Sequence, residues 1–362
     1  MSLKHGIERL ENCMRQGIEE EAYPGISYAI VTRDWVHLNH LGDKAWFPTR
    51  MPLSRKTIYD VASLTKVVAT TPAIMRLIEM GEIRLVDSVK YYLPQFRHEG
   101  IRIFHLLTHT SGLPADIPRA FTLRTKEEVL EKVFATELMN PIGEKIVYSD
   151  IGYILLGLII ETVTGQTLDA FVTEHLFKPL AMADTGFNPL EPSRCAPTEL
   201  REDEVYNGYL QGIVHDEKAF AMGGVSGHAG LFSTNEDLAK FIQMVLNDGF
   251  YHGQKILSKS SIDQWFIPKV MEKRSSFGQP YSRSLGWELP SFGFSCGDLV
   301  SGETIYHTGF TGTSLIIDRG HGLGMVFLTN HVHPKRGKNK LFSYRQRFAN
   351  IVLGEILPFL NE

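Results

Sequence analysis

Strand-like sequence is concentrated at the two ends of this 362-residue chain. Near the N-terminus, two β-rich runs joined by a short polar turn predict a hairpin, and three more runs lie beyond residue 300. The predicted strands are Gly25–Thr32, Val36–Leu41, Thr304–Tyr306, Thr313–Asp318 and Met325–Asn330, followed by a helix near Leu341–Leu357. Because strands must pair their backbone groups, the two ends are expected to meet in one sheet. The sequence therefore predicts an α/β fold of the α+β type, with an antiparallel sheet flanked by helices.

Helix signals dominate the middle of the chain. Thr125-Lys-Glu-Glu128 forms a capping box, and Asp150 can cap an apolar run that stops at Gly165. We therefore expect a sheet-containing domain built from residues 1–75 and 224–362, with residues 76–223 inserted as a mostly helical domain. An active site between the sheet and the insertion would suit this plan.

A further helical pattern begins at Ser63-Leu-Thr-Lys66 and runs towards Gly81, with Pro72 predicting a kink. The three-residue spacing places the serine and lysine side chains on one helix face. A desolvated lysine can take the proton of a serine nucleophile, and the first-turn N–H of Ser63 can stabilise an oxyanion. The alternative is structural: Ser63 as an N-cap and Lys66 as a solvated helix residue.

Two more short elements favour the catalytic interpretation. Tyr148-Ser-Asp150 lies where the chain enters an apolar helix, and His307-Thr-Gly309 follows a predicted strand. In this order and at these separations, the three elements resemble the penicillin-recognising serine hydrolases, particularly class C β-lactamases, D-Ala-D-Ala carboxypeptidases and related esterases. The segments 105–114 and 223–233 strengthen the resemblance, which spans nearly the whole chain. The second segment resembles a subset that acts in cell-wall and muropeptide metabolism.

The resemblance implies a β-lactamase/transpeptidase-like fold and acyl transfer to water through an acyl-enzyme. Ser63 would attack the carbonyl, Lys66 would accept its proton, and Tyr148 would relay a proton to the leaving group. The choice of base between Lys66 and Tyr148 stays open. The predicted substrate-binding and oxyanion residues are Asp150, His307, Thr308, Gly309 and Phe310, with the N–H of Phe310 completing the oxyanion hole.

The expected substrates are amide, peptide or ester bonds related to cell-wall peptides or to β-lactams. A muropeptide amidase or esterase on the same fold is one alternative. A penicillin sensor that binds without turnover is another, since a sensor also keeps its nucleophile.

Two residues depart from the commonest family pattern. The third element usually begins with lysine, whereas His307 has an ordinary pKa near ~6.5, so its charge is expected to depend on pH. The second element commonly ends in asparagine, whereas the charge of Asp150 would favour the protonated, non-basic form of Lys66. Asp150 can also serve simply as a helix cap. Efficient β-lactam hydrolysis is therefore not expected.

Composition excludes several classes of partner. The chain has 37 Lys and Arg residues against 41 Asp and Glu residues, so its weakly acidic field disfavours nucleic acid. The three cysteines are too widely spaced for a disulfide framework or a paired metal motif, and we expect neither a metal nor an organic cofactor. A small-molecule or peptide substrate is the expected partner, and the oligomeric state is left open. We interpret the basic run Lys335, Arg336, Lys338 and Lys340 as a solvated loop.

The compartment is the least determined property. The longest apolar run, Ile151–Ile160, is roughly half the ~20 residues that a transmembrane helix needs, so no such segment is predicted. The N-terminus lacks the pattern of a secretory leader, which favours the cytoplasm for the chain as written. Met1-Ser2-Leu3 leaves open the replacement of a removed leader, in which case the protein would act outside the cytoplasm.

Overall fold

The computed structural model describes residues 2–273, 280–291, 295–337 and 340–360. Its strands are β1 (Gly25–Thr32), β2 (Val36–Ala45), β3 (Met51–Pro52), β4 (Tyr59–Asp60), β5 (Gly186–Phe187), β6 (Leu200–Glu202), β7 (Asn207–Tyr209), β8 (Leu231–Ser233), β9 (Phe250–Tyr251), β10 (Gln254–Lys255), β11 (Val270–Lys273), β12 (Pro280–Arg283), β13 (Thr304–Thr308), β14 (Ser314–Asp318) and β15 (Leu323–Leu328). The predicted N-terminal hairpin and the three C-terminal strands are confirmed.

The helices alternate with short irregular turns. They are α1 (Leu3–Glu19), α2 (Thr71–Met80), α3 (Val89–Tyr92), α4 (Ile103–Leu107), α5 (Lys126–Ala135), α6 (Asp150–Thr164), α7 (Leu168–Val172), α8 (Glu217–Ala221), α9 (Asn235–Leu246), α10 (Lys259–Phe266) and α11 (Leu341–Ile351). Single 3-10 turns cover Ala62–Leu64, Ala120–Thr122, Pro192–Arg194 and Leu357–Phe359, and π-helical turns cover Lys66–Thr70, Thr173–Phe177 and Val352–Ile356.

The main sheet joins the two ends of the chain. Its strand order is β13-β14-β15-β1-β2-β3, and every neighbouring pair is antiparallel. β1 occupies an inner position, where Tyr28 pairs with Phe327 on one side and with Asn39 on the other. The predicted antiparallel sheet flanked by helices is therefore confirmed, and the boundaries of the two predicted domains remain a prediction.

Alternating strand residues fill two hydrophobic cores, one on each face of the sheet. On β1, Tyr28 and Ile30 pack with residues of α1 and α11, whereas Ala29 and Val31 face the larger core that includes α9. Both faces of β1 are buried, which explains its nearly continuous apolar sequence. The central strands are consequently held rigidly behind the cleft described below.

The helical pattern after Ser63 is divided into three segments. A single 3-10 turn at Ala62–Leu64 leads into a π-helical turn at Lys66–Thr70, and regular α-helix begins only at Thr71. Pro72 lies in the first turn of α2, directly after the π-helical turn, and supplies no N–H to the carbonyls of that turn. The predicted departure from a straight helix is present, but it precedes the proline instead of following from a kink within α2. Gly81 ends the helix in the left-handed conformation, with φ of 79°.

Of the two helix caps predicted from the sequence, one is confirmed and the other is wrong. The capping interaction of Thr125 is confirmed, since its side chain accepts a hydrogen bond from the Glu128 N–H. Asp150 is not the cap of α6, so that interpretation was wrong. Ser149 is the N-cap and accepts from the Gly152 N–H, which leaves the Asp150 carboxylate in the first turn for other contacts.

No single helix of the described ranges is both long and apolar enough to cross a bilayer. α6 reaches that length only together with the segment Leu168–Phe177, from which it is bent by 78°.

Close packing of α6 on the 223–230 loop generates a stability prediction. A Cβ atom on Gly227 would lie 2.1 Å from the Tyr153 carbonyl oxygen and 3.0 Å from the Gly157 nitrogen. Gly227→Ala should therefore lower the free energy of unfolding by about 1–3 kcal/mol, as overpacking does. Urea unfolding measures this loss. Gly302→Ala is the control because its Cβ would meet nothing within 4 Å; equal midpoints for the two variants would contradict the packing argument.

Candidate active site

A cleft of about 490 Å³ opens beside the C-terminal end of β13. The residues that line it come from the chain's two ends and from its middle. They are Ser63, Tyr148, Glu288, His307, Thr308, Gly309, Phe310, His331, Leu341, Phe342 and Arg345. The structure thus brings the three sequence elements together at one surface.

A strained turn positions Ser63 at this cleft. Ala62 has φ of 48°, a left-handed conformation that residues with a Cβ seldom adopt. The buried Asp60 carboxylate accepts a hydrogen bond of 2.8 Å from the Ala62 N–H, and the Thr65 hydroxyl donates to the Ala62 carbonyl at 2.6 Å. These contacts hold the turn, so the Ser63 side chain is presented at the start of the helical segment.

Lys66 lies directly behind Ser63. Its Nζ atom is 3.1 Å from Ser63 Oγ, 2.9 Å from the His228 carbonyl oxygen and 2.8 Å from Asp150 Oδ1. The side chain is 0% exposed. Burial alone would lower the pKa of Lys66, but the Asp150 carboxylate outweighs it and raises that pKa above its ordinary value. Lys66 is therefore an ammonium group in the resting site, not a solvated helix residue.

Tyr148 covers the other side of the lysine. Its ring centroid lies 4.9 Å from Lys66 Nζ and 4.6 Å from the centroid of His109. The ring is partly exposed at the cleft, whereas its hydroxyl is buried and interacts with Lys66 and Ser63. Burial raises the pKa of Tyr148, although Lys66 opposes the shift, so the side chain rests as a neutral phenol.

A chain of charged groups continues from Asp150 through the buried Lys218. Asp150 Oδ2 lies 3.3 Å from Lys218 Nζ, and that ammonium group also contacts Asp116 at 2.8 Å and Asp216 at 3.1 Å. Sequence reasoning gave no role to Lys218 or Asp116. Neither residue belongs to one of the three sequence elements, and a lone lysine carries no recognisable spacing.

His228 ends this chain of contacts. Its Nε2 atom lies 2.7 Å from Asp216 Oδ1, and its Nδ1 atom lies 2.9 Å from Ser226 Oγ. With both ring nitrogens engaged, His228 is a structural hydrogen-bonding residue and not a substrate contact. Atoms of Asp150, Asp216 and His228 that could bind a metal ion lie within 4.8 Å of one another. The two carboxylates, however, already pair with the ammonium groups of Lys66 and Lys218.

His307 corrects a sequence expectation. The ring is buried, and Nδ1 donates a hydrogen bond of 2.9 Å to the Thr308 carbonyl oxygen. Burial holds the pKa of His307 well below its ordinary value, and the nearby cations Arg283 and Lys66 lower it further. The expectation that His307 changes charge near pH 6.5 was therefore wrong, because the folded structure removes the water that a protonated imidazole needs.

The loop after β13 is locked onto the Ser63 turn. The Thr311 hydroxyl donates to the Asp60 carbonyl at 2.7 Å, and the Thr313 hydroxyl donates to the Val61 carbonyl at 3.0 Å. Gly309 has to be glycine, since a Cβ there would lie 2.5 Å from the Val61 carbonyl oxygen. The loop consequently brings the backbone of Phe310 to the cleft beside Ser63.

Comparison with known proteins agrees with this geometry. The family model described as Beta-lactamase matches residues 10–348. The chain belongs to the beta-lactamase family. It is 35% identical to an N-acetylmuramyl-L-alanine amidase of Bacillus subtilis (strain 168), over 78% of this chain and 69% of that protein. It is 36% identical to an Escherichia coli (strain K12) protein with the provisional name D-alanyl-D-alanine carboxypeptidase, over 90% of this chain and 83% of that protein.

Among solved structures, an octameric penicillin-binding protein homologue from Pyrococcus abyssi has a TM-score of 0.77 at 23% identity, with 98% of this chain and 80% of that chain covered. This likeness shows the shared fold. The sequence matches identify this beta-lactamase family member as a serine hydrolase.

A second polar cluster in this beta-lactamase family protein braces the Phe310 ring. The ring stacks on His215, with centroids 5.5 Å apart, and lies 5.6 Å from the Arg336 guanidinium carbon. Glu199 contacts both groups, at 3.0 Å from His215 Nε2 and 2.6 Å from Arg336 Nε. Burial alone would raise the pKa of Glu199, but the hydrogen bonds from His215 and Arg336 lower it to about 2.

This brace includes one residue of the basic run. Lys335, Arg336 and Lys340 are exposed, as expected of a solvated loop, and the guanidinium group of Arg336 also pairs with Glu199 and, at 3.0 Å, with Glu217. Lys338 lies outside the described residues.

The neutral state of His307 yields a pH prediction. Its pKa lies near 6.5 in the unfolded chain and well below that value in the folded protein, so the unfolded chain binds the extra proton as pH falls below ~6.5. Stability present above that pH is then lost on acidification. His307→Gln removes this titrating group. The slope of the free energy of unfolding against pH should therefore fall by about 1.4 kcal/mol per pH unit near pH 5.

Urea unfolding between pH 7.5 and about pH 5, above the range where ordinary carboxylates titrate, measures the slope. The control is His5→Gln on the exposed surface of α1, which should retain the wild-type slope. A His307→Gln slope equal to that of the wild type would show that the imidazole is protonated in the folded protein.

Proposed function

We propose that this chain hydrolyses amide bonds of cell-wall muropeptides through an acyl-enzyme formed on Ser63. The observation that carries the proposal is the 3.1 Å contact between Ser63 Oγ and Lys66 Nζ at the edge of the cleft. The names of the amidase and carboxypeptidase relatives support a cell-wall substrate.

One proton has to pass from the nucleophile to the leaving group. Ser63 Oγ attacks the amide carbon while its proton moves to the Lys66–Tyr148 pair, and the buried hydroxyl of Tyr148 donates a proton to the departing nitrogen. Lys66 passes a proton to Tyr148 and takes up that of Ser63, so both residues end the acylation step as they began. Water then attacks the ester by the same route in reverse. Asp150 faces Lys66 throughout and balances its charge whenever Lys66 carries a proton.

Two backbone amides are proposed to hold the oxyanion. The N–H of Ser63 belongs to the strained turn, and the N–H of Phe310 belongs to the loop that Thr311 and Thr313 fasten to that turn. Donors fixed in this way need no reorganisation when charge develops on the substrate oxygen. We assign Thr308 and Gly309 to the wall that sets this geometry.

Arg345 is the proposed contact for a substrate carboxylate, in place of His307. Its Nη2 atom donates to the Gly309 and Thr313 carbonyls, at 3.1 and 2.8 Å, and its buried Nε atom has no partner among the described residues. Burial lowers the pKa of Arg345 to about 10, so the group remains charged at neutral pH. Muropeptides carry free carboxylates that fit this position.

Because Lys66 is paired with Asp150, β-lactams are expected to react slowly.

Labelling tests the nucleophile. A neutral fluorophosphonate should add once to the folded protein, and peptide mapping by mass spectrometry should place the adduct on Ser63. Ser63→Ala should abolish the labelling, whereas Ser343→Ala, which changes an exposed serine on α11, should leave it unchanged. Lys66→Met should slow the reaction by at least ~10², as expected on loss of a positioned proton carrier. Undiminished labelling of Ser63→Ala would refute the proposal.

The substrate assignment has its own measurement. Release of peptide from purified muropeptides, followed by liquid chromatography and mass spectrometry, should proceed with wild type and stop with Ser63→Ala. A wild-type protein that forms the fluorophosphonate adduct but leaves every muropeptide amide intact would show that the nucleophile is right and the substrate class wrong.

A further inference from the structure

Lys218 is a buried cation one carboxylate away from the proposed catalytic lysine. Its side chain is 1% exposed, and its Nζ atom lies within 3.3 Å of oxygens from Asp116, Asp150 and Asp216. Removing an ammonium group from water is costly unless carboxylates surround it, so these three contacts fix its position and its charge. A lysine needed only to fill space at this position would not require three carboxylates.

Asp150 divides its carboxylate between two ammonium groups. Oδ1 contacts Lys66 at 2.8 Å, and Oδ2 contacts Lys218 at 3.3 Å. Each cation weakens the hold of the carboxylate on the other, because both draw on the same negative charge. The state of Lys218 is thereby transmitted through Asp150 to the atom that touches Ser63.

We propose that Lys218 is a positioning residue for the acylation of Ser63: it shares the Asp150 carboxylate with Lys66 and so keeps Lys66 able to exchange a proton with the nucleophile. The inference rests on the proposed function, in which Lys66 carries the Ser63 proton. It assigns to Lys218 no contact with substrate.

The surroundings of Lys66 determine the direction of the effect. Apart from Ser63, the titratable or charged groups that face it are Asp150 and Tyr153 from α6, Tyr148 from the segment before α6, His109 from the loop after α4, Arg283 from β12 and His307 from β13. Lys218, Asp216 and the His228 ring lie on the far side of Asp150 and act on Lys66 through it. His109 and His307 have pKa values well below the ordinary one, so neither of these two can replace a lost cation. Without the Lys218 charge, Asp150 acts on Lys66 alone, and Lys66 retains its proton to higher pH.

The pH profile of fluorophosphonate labelling tests the proposal. Because the probe is neutral, the rise of the labelling rate with pH, here called the ascending limb, reports the titration of groups on the enzyme. Lys218→Met should move that limb upward by about one pH unit and slow labelling at neutral pH about tenfold. The shift should vanish when Lys218→Met is combined with Asp150→Asn, since the shared carboxylate is then absent. An unchanged limb in folded Lys218→Met would overturn the proposal.

A second variant keeps the test decisive if Lys218→Met does not fold. Asp116 is 56% exposed, and Asp116→Asn removes a competing carboxylate from Lys218 while keeping the side-chain volume. Lys218 then acts more strongly on Asp150, so the ascending limb should move to lower pH, opposite to the effect of Lys218→Met. An upward shift or no shift in Asp116→Asn would count against the inference.

A control variant separates this role from the simple loss of a buried ion pair. Lys240 pairs with the buried Asp237 at 2.7 Å, and neither residue lines the cleft. Lys240→Met should lose stability without a change in the pH profile. If Ser63→Ala still labels, the proposed function itself fails; if Ser63→Ala is inert and the Lys218 and Asp116 variants keep the wild-type limb, only the inference fails.

Discussion

The fully buried ammonium group of Lys66 governs the arrangement of the active site. A charge removed from water requires an opposite charge and hydrogen-bond acceptors close by, and three separate segments supply them. α6 supplies Asp150 from its first turn, the 223–230 loop supplies the His228 carbonyl, and the turn at Ala62 supplies the Ser63 hydroxyl. The capping of α6 by Ser149 is part of this arrangement, because it leaves the Asp150 carboxylate available for Lys66.

A second set of contacts fixes the opposite side of Ser63. The Asp60 carboxylate is at its centre, because it links the turn at Ala62 to His215. One of its oxygens accepts from the Ala62 N–H at 2.8 Å, and the other accepts from the His215 N–H at 2.7 Å. His215 in turn stacks on Phe310 and pairs with Glu199. The strained turn and the loop that carries the proposed oxyanion donor are therefore held by one buried group. Backbone strain of this kind persists only where the surroundings over-determine it.

Local sequence was sufficient for features that depend on local physics. Runs of β-forming residues identified β1, β2, β13, β14 and β15 but not the two-residue β3, and the capping box at Thr125 identified the start of α5, because neighbouring residues determine both. The site charges were harder to predict. His307 was expected to titrate near neutrality, because sequence spacing says nothing about burial. Lys218 received no role, since its partners Asp116 and Asp150 come from distant parts of the chain.

By itself, the sequence determined the α+β fold class, the order of the three short elements and the residue types that they bring to the cleft. Those features follow from side-chain periodicity and from motif spacing, both of which are properties of the chain before it folds. Only the tertiary structure decided which of these groups are charged. It buried the His307 ring and the Tyr148 hydroxyl, placed Asp150 against Lys66 and placed Lys218 against Asp150. The physical reason is that a protonation state depends on solvent access and on neighbouring charges, and both arise when segments separated in sequence come together.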